Sequence, residues 1–218
     1  MSKSGTNKPD ANLYITQKEY YRSLYASEQP EPWDRFFDGD WLKGRLGAKG
    51  ANKGKLALEI GAGKGRGASI LACAGYRCVA IDYLLAPMTQ APPPSGANSP
   101  CFVNADLFAA PFVDGVFNLA LDWGVFHHIR RKETGLYIRA VRRLLGPDGR
   151  LLLGCFSTRF RHPGEGRRKR GFTLHHGHYD RFSTRTELKK TFGPWFIITS
   201  MEERKEGYYL LDMTAREK

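Results

Sequence analysis

Four short apolar segments between residues 56 and 122 constrain the fold of this chain most. They are Leu56–Ile60, Cys78–Asp82, Phe102–Asp106 and Val116–Asp122, and the last three each end in an acidic residue. Segments that are apolar almost throughout are typical of strands covered on both faces, as in a parallel sheet. The small residues of Gly67–Ala74 predict a helix after the first strand. Strands alternating with helices predict an α/β fold.

The second half of the chain continues this pattern and then changes it. Lys132–Leu145 has apolar residues at helical spacing, and Arg150–Phe156 predicts a fifth strand. Ser183 is the expected N-cap of a further helix. Trp195–Ser200 and Tyr208–Thr214 are strand-like, and the short connection between them favours an antiparallel hairpin. The predicted fold is a doubly wound, mostly parallel, seven-stranded Rossmann-like sheet with a C-terminal antiparallel hairpin.

The first 54 residues differ from the rest. Thr16–Tyr25 carries aromatic residues and Leu at helical spacing, Trp33–Phe37 forms a second short amphipathic piece, and a Gly-rich linker follows around Gly44–Gly54. A chain of 218 residues is long enough for one sizeable core. We therefore expect residues 1–54 to be a helical lead-in and lid, and residues 55–218 to form the main domain.

Charge and cysteine content limit the partners. The chain has 34 Lys and Arg against 22 Asp and Glu, a net charge of +12, with a basic cluster in Arg159–Arg170. Such a cluster attracts polyanions, but its glycines and scarce aromatics are typical of a solvated loop. The four cysteines form no C-x-x-C pair, and no apolar run is long enough to span a membrane. We expect a cytoplasmic monomer or weak dimer, with nucleic acid a possible but not favoured partner.

The turn after the first strand has the sequence Glu59-Ile60-Gly61-Ala62-Gly63-Lys64-Gly65. Small residues there allow the backbone to approach a ligand at the carboxyl end of the sheet. A dinucleotide fingerprint needs its third glycine at position 66, where this chain has Arg66. The turn also lacks the Gly-Lys-Ser/Thr of a phosphate-binding loop.

This turn resembles the first motif, E/D-x-G-x-G-x-G, of the class I S-adenosylmethionine-dependent methyltransferases. The resemblance implies that the turn lies against the methionyl part of the cofactor and that Glu59 helps to hold its amino group. Asp82 would accept from the ribose hydroxyls, Tyr83 would cover the adenine, and Asp106 would accept from the adenine amino group. The implied cofactor-binding residues are Glu59, Gly61, Ala62, Gly63, Asp82, Tyr83, Ala105, Asp106, Leu107, Asp122 and Trp123.

The segment from Asp122 to Ile129, DWGVFHHI, resembles the D-x-G-x-F-H-H signature of small bacterial thiol, thiopurine and tellurite-type methyltransferases. That resemblance implies a small-molecule acceptor with a heteroatom, sulfur first and nitrogen or oxygen next. The expected catalytic residues are His127, facing the transferred methyl, and Trp33 and Tyr21 from the lid. A histidine pair before a helix is more often structural, and core packing is an equal alternative for the aromatic residues.

Three alternatives remain open from the sequence. An enzyme of the same fold that cyclises or cleaves S-adenosylmethionine would keep the same motif. An RNA methyltransferase or RNA-binding protein would use the basic cluster, although the chain lacks the N/D-P-P-Y/F motif of base methylation. His175, His176, His178 and Asp180 have the composition of a metal site, but His178–Ser183 resembles the common lead-in to a helix. We therefore expect no metal.

Overall fold

The computed structural model describes residues 11–27, 36–48, 50–91, 99–162, 168, 171–175 and 177–217. Its strands are β1 (Leu56–Ile60), β2 (Arg77–Asp82), β3 (Cys101–Asn104), β4 (Phe117–Trp123), β5 (Leu145–Phe156), β6 (Phe172–His175), β7 (His178–Arg181), β8 (Phe196–Glu203) and β9 (Tyr208–Ala215). Its helices are α1 (Ala11–Ala26), α2 (Gly39–Arg45), α3 (Arg66–Cys73), α4 (Leu85–Met88), α5 (Thr134–Leu144) and α6 (Arg185–Phe192).

Seven of the described strands form one mixed sheet, in the order β3-β2-β1-β4-β5-β9-β8. Strands β1 to β5 pair in parallel, whereas β9 is antiparallel to both β5 and β8. The carboxyl ends of the five parallel strands therefore lie along one edge of the sheet. The predicted seven-stranded α/β sheet with a C-terminal antiparallel hairpin is confirmed.

Helices cover both faces of the sheet, as a doubly wound fold requires. On one face Tyr137 and Val141 of α5 and Phe192 of α6 pack into a cluster of buried residues with strands β1, β4 and β5. On the other face Trp41 of α2 and Leu71 of α3 pack against the same strands. Among the described residues, no helix combines the length and apolar character needed to cross a membrane.

Local predictions fail at three places. The N-cap of α6 is Thr184, not Ser183, because the Thr184 hydroxyl accepts from the Glu187 amide at 3.1 Å. The predicted Gly-rich linker begins inside a helix, since α2 runs to Arg45 and buries Trp41. Strand β3 ends at Asn104, so Asp106 lies in the following turn rather than at the strand end.

The segment predicted as a lead-in to α6 is instead a strand. His178–Arg181 forms β7, which pairs with β6 in a separate two-stranded antiparallel sheet. Tyr179, Asp180 and Arg181 are buried in this strand. Because alternate residues of a strand share a face, His178 and Asp180 lie on the same side of β7.

Candidate active site

The glycine turn between β1 and α3 has a backbone that side chains would disturb. Gly61, Gly63 and Gly65 have φ of 66°, 52° and 74°, in the left-handed region that favours glycine. A Cβ atom at Gly61 would lie 2.2 Å from Cγ2 of Val125, and one at Gly63 would lie 2.7 Å from the Tyr25 hydroxyl. The turn is thus enclosed by the loop after β4 and by α1.

Glu59, the last acid of β1, is buried and directed towards the start of α3. Its carboxylate accepts a hydrogen bond from the Ala68 amide at 2.8 Å. Burial raises the pKa of Glu59 to about 8, although bonds from the Ala68 and Gly67 amides lower it. At neutral pH this group therefore holds a proton that a neighbouring cation would displace.

Asp82, at the end of β2, fixes both the glycine turn and the loop that follows its own strand. One carboxylate oxygen accepts from the Gly63 amide and the other from the Leu84 amide, each at 2.9 Å. Burial raises the pKa of Asp82, and these backbone bonds lower it. A carboxylate has about four acceptor positions, so about two remain for a ligand.

Asp106 and Tyr83 lie beside each other under α1. The Asp106 carboxylate accepts from the Phe108 amide at 2.9 Å and thereby caps the turn at Leu107–Ala109. Tyr14 of α1 hydrogen-bonds to Asp106, and its ring centroid lies 5.6 Å from that of Tyr83. The amide of Ala105 donates to the Asp82 carbonyl at 3.0 Å, which joins β2 to this turn.

One face of α1 covers this edge of the sheet. Tyr14, Lys18, Tyr21 and Tyr25 are spaced so that they share one side of a helix. The Lys18 ammonium lies 5.4 Å from the centroid of the Tyr83 ring. Because Thr16 and Ser23 on the opposite side are exposed, α1 lies on the surface with this face turned inward. We refer to these four side chains as the α1 face.

The side chains of Asp122 and Trp123, at the end of β4, are engaged by neighbouring groups of the protein. The buried Asp122 carboxylate accepts from the amides of Gly124, Val125 and Phe126 and from the hydroxyl of Tyr137. Its acceptor positions are therefore all in use, and burial raises its pKa to about 6. Where the sequence predicts a cofactor ligand, the geometry shows a carboxylate that shapes the loop after β4.

Trp123 packs into the core beneath that loop. Its ring lies 5.0 Å from Phe37 and 5.9 Å from Trp41, measured between centroids. A Cβ atom at Gly154 would lie 3.1 Å from the indole, so the glycine makes room for it. The indole is thus held by packing from two directions.

Four histidines and one aspartate converge beyond the loop after β4. This histidine–aspartate cluster consists of His127, His128, His162, His178 and Asp180. The fully buried Asp180 carboxylate lies 2.9 Å from Nδ1 of His128, 3.3 Å from Nε2 of His178 and 2.8 Å from Nε2 of His162. Burial alone would raise the pKa of Asp180, but its contacts with His128 and His162 hold it well below the usual value.

The α1 face reaches this cluster through Tyr21. Its hydroxyl hydrogen-bonds to Nε2 of His128 at 2.6 Å and to Nε2 of His178 at 2.8 Å. The ring of Tyr20 stacks on His178 with the centroids 4.5 Å apart. The same helix therefore contacts both the acidic residues after β2 and β3 and the histidine–aspartate cluster.

His127 is buried within the cluster, against an aromatic ring. Its ring stacks on Phe156 with centroids 3.7 Å apart, and a Cβ atom at Gly124 would lie 3.9 Å from its Nε2. Burial lowers the pKa of His127 well below its usual value, so the imidazole is neutral. Among the described residues, its buried Nδ1 has no hydrogen-bond partner.

Comparisons with known proteins agree with this geometry. A family model with the description "Methyltransferase domain" matches residues 58–153. These residues contain the glycine turn and the strand-end acids. The chain is a class I S-adenosylmethionine-dependent methyltransferase. The expected cofactor, S-adenosylmethionine, is thereby confirmed. Among curated proteins, none matches this methyltransferase with significant sequence similarity.

Solved structures share the fold over nearly the whole chain. A 1,6-didemethyltoxoflavin-N1-methyltransferase from Burkholderia thailandensis, with bound 1,6-didemethyltoxoflavin and S-adenosylhomocysteine, has a TM-score of 0.72 at 20% identity, over 99% of this chain and 94% of that one. A TehB-like methyltransferase from Corynebacterium glutamicum has a TM-score of 0.58 at 14% identity, over 94% and 99%. A structure described as "Conversion of a Disulfide Bond into a Thioacetal Group during Echinomycin Biosynthesis" has a TM-score of 0.68 at 17% identity, over 92% and 93%.

The methyltransferase brings some of the predicted site residues together and leaves others apart. Gly61, Gly63, Asp82 and Tyr83 lie along one edge, whereas Trp33 lies outside the described residues. Tyr21, expected with His127 to be catalytic, contacts His128 and His178. The sequence also did not predict that His128 and His162 contact Asp180 of β7. The alternation of His178 and Asp180 was a signal for a shared strand face, but nothing local indicated its partners.

Proposed function

We propose that this methyltransferase transfers the methyl group of S-adenosylmethionine to a small-molecule heteroatom acceptor, with sulfur the first choice. The main support is the surrounding of His127. A neutral imidazole lies between Gly124, at the carboxyl edge, and the ring of Phe156, which itself stacks on Phe160 at 3.9 Å. These stacked, polarisable rings suit a soft, uncharged acceptor better than a phosphate-bearing one.

The cofactor would lie across the carboxyl ends of β1, β2 and β3. Asp82 has about two acceptor positions left for the two ribose hydroxyls. Tyr83 and Asp106 would hold the adenine, with Ala105 and Leu107 supplying backbone beside it. Glu59 would pair with the cationic amino group and give up its proton on binding, while Gly61, Ala62 and Gly63 leave room for the methionyl part.

We assign His127 the role of positioning the acceptor and not that of a proton donor. Its pKa is too low for it to hold a proton near neutral pH. A positively charged sulfur makes the methyl group a strong electrophile, so a correctly aligned acceptor needs little further activation. Tyr21 would join α1 to the histidine–aspartate cluster and exclude water, with the N-terminal region acting as a lid.

Nitrogen is the second candidate acceptor. It is favoured by the toxoflavin-type enzyme, whose described activity is N1 methylation and whose fold extends over 99% of this chain. Another structural neighbour is associated with the conversion of a disulfide bond into a thioacetal group, which is sulfur chemistry. Both neighbours are under 25% identical to this chain, so they suggest candidate acceptors and do not decide between them.

An RNA acceptor receives less support from the described part of the basic cluster. Arg161 donates to the carbonyl oxygens of Thr158 and Phe160, and the Arg168 guanidinium lies 3.3 Å from the centroid of the Phe182 ring. These two side chains are engaged with the protein itself. A platform for single-stranded RNA needs exposed aromatic rings for stacking.

Product analysis tests the proposal. The methyltransferase would be incubated with methyl-labelled S-adenosylmethionine and a panel of small thiols, amines, phenols and short RNAs, followed by mass spectrometry. We expect label on a small thiol, and label on an amine would move the acceptor to nitrogen. Labelled RNA, or cofactor consumed without any methylated product, would contradict the proposal. His127→Ala should lower turnover while leaving S-adenosylhomocysteine affinity within about threefold.

A further inference from the structure

The histidine–aspartate cluster brings three atoms that can bind a metal ion within 3.3 Å of one another. Nδ1 of His128 lies 2.9 Å from Oδ1 of Asp180 and 3.1 Å from Nε2 of His178, and that Nε2 lies 3.3 Å from the same carboxylate oxygen. The three atoms form a nearly equilateral triangle. All three residues are buried or half-buried, and they come from two segments about 50 residues apart along the chain.

Hydrogen bonds account for some of these contacts, since the Tyr21 hydroxyl also reaches Nε2 of His178 at 2.8 Å, but not for the three groups that converge on Nδ1 of His128. An imidazole nitrogen carries at most one proton and directs it along one line in the ring plane. Nδ1 of His128 faces the Asp180 carboxylate, His178 Nε2 and, at 3.2 Å, the Tyr179 carbonyl oxygen. One N–H cannot serve three acceptors, and two imidazole lone pairs 3.1 Å apart repel each other unless a proton or a cation lies between them.

We propose that His128, His178 and Asp180 form a binding site for a divalent transition-metal ion of the zinc class. An ion equidistant from the three atoms would lie about 1.8 Å from each within their plane. Moving it about 1 Å out of that plane gives about 2.1 Å, which matches zinc–nitrogen and zinc–oxygen bonds. Two imidazoles and one carboxylate are also a ligand set that zinc accepts.

The surroundings of the three ligands support the assignment. Metal-binding side chains are usually fixed by hydrogen bonds on the atoms that do not face the ion. The other nitrogen of His128 bonds to the Tyr21 hydroxyl, and the other oxygen of Asp180 lies 2.8 Å from Nε2 of His162. Tyr20 stacks on the His178 ring. Each of the three ligands is therefore held in orientation by a different neighbour.

His127 offers a further donor from the loop after β4. One ligand atom from each of His127, His128 and Asp180 lies within 4.8 Å of the other two. Its buried Nδ1 has no hydrogen-bond partner among the described residues. Because its ring lies beside the three converging ligand atoms, His127 fits the role of a fourth metal ligand or of a residue that faces a molecule bound to the ion.

The test measures ion binding and not catalysis. Untagged full-length protein, stripped with a chelator, would be titrated with Zn²⁺ against a chromophoric competitor, and with Co²⁺ followed by its visible absorption. We expect one ion per chain and an absorption spectrum typical of four-coordinate Co²⁺. His178→Gln and Asp180→Asn should each weaken Zn²⁺ affinity by about 100-fold, and His162→Gln by about 10-fold, since it only supports a ligand.

Controls separate this site from adventitious binding and from misfolding. Cys73 and Cys101 are exposed thiols and the most obvious competing ligands, so Cys73→Ser with Cys101→Ser should leave Zn²⁺ affinity unchanged. Near-ultraviolet circular dichroism of His178→Gln and Asp180→Asn would establish that both fold. The proposal is overturned if the wild type binds no ion more tightly than about 10 µM. It is equally overturned if both folded variants bind Zn²⁺ as the wild type does.

Discussion

The proposed cofactor edge, which comprises the glycine turn, Asp82 and Asp106 after strands β1, β2 and β3, lies at the same end of the sheet as the histidine–aspartate cluster. The two regions are held together differently. At the cofactor edge each acid accepts from a backbone amide nearby in sequence: Asp82 from Leu84, and Asp106 from Phe108. In the cluster, side chains from distant segments contact one another, as His128 and His178 do across 50 residues. The first region is built by bonds between acids and backbone amides, over as many as 19 residues between Gly63 and Asp82, and the second by contacts between side chains of more distant segments.

The largest expected effect is on the cofactor edge. Asp82→Ala removes the proposed ribose acceptor together with the bonds to Gly63 and Leu84. Because hydrogen bonds to a charged group contribute about 1.5–3 kcal/mol each, we expect S-adenosylhomocysteine affinity to fall by about 100-fold in calorimetry. Asp114→Ala, which removes an exposed carboxylate elsewhere, is the control. Unchanged affinity in a folded Asp82→Ala protein would remove the assignment.

Gly61→Ala tests whether the glycine turn is limited by space. The added Cβ would meet Cγ2 of Val125 and would be held at a positive φ. We expect a loss of about 1–3 kcal/mol in the free energy of unfolding, measured by urea denaturation. Val125→Ala in the same chain should restore part of that loss. If the second substitution restores nothing, backbone strain rather than contact with Val125 limits this position.

Cofactor binding should depend on pH through Glu59. Its pKa is about 8 in the folded protein against 4.5 when exposed, so the folded state binds more protons between these values. This group's contribution to stability therefore falls as pH rises through that window. A bound ammonium favours the ionised carboxylate, so affinity should increase from pH 6 to 8 with release of a proton. Calorimetry in two buffers measures the proton, and Glu59→Gln should abolish its release.

A smaller effect is expected where α1 meets the cluster. Tyr21→Phe removes the hydroxyl that bonds to His128 and His178 but keeps the ring. We expect S-adenosylhomocysteine affinity to fall by about threefold and amide exchange in α1 to accelerate. Tyr20→Phe is the matched control, because its ring, which stacks on His178, is retained. Equal effects of the two substitutions would argue against a specific role for the Tyr21 hydroxyl.

What the sequence could predict follows from this difference. Glycines act on their own backbone, and Glu59 and Asp82 bind amides of the same β–α–β unit, so the turn from Glu59 to Gly65 and the place of Asp82 could be recognised directly. The pattern did not reveal that Asp122 satisfies its own loop, because the burial of its carboxylate and its bond from the Tyr137 hydroxyl depend on how α5 packs on the sheet. The partners of Asp180 come from β7, from the loop after β4 and from the segment after β5, which only tertiary packing brings together.

The affinity of Asp180→Asn for S-adenosylhomocysteine tests most directly whether the two regions are independent. The substitution keeps the size of the side chain and removes the charge that His128 and His162 contact. Calorimetry on the folded variant should give a dissociation constant within about threefold of the wild type, because the charged contacts of Asp180 are with the histidines of the cluster. A loss comparable to that expected for Asp82→Ala would show that the cluster is part of the cofactor site and would contradict this account.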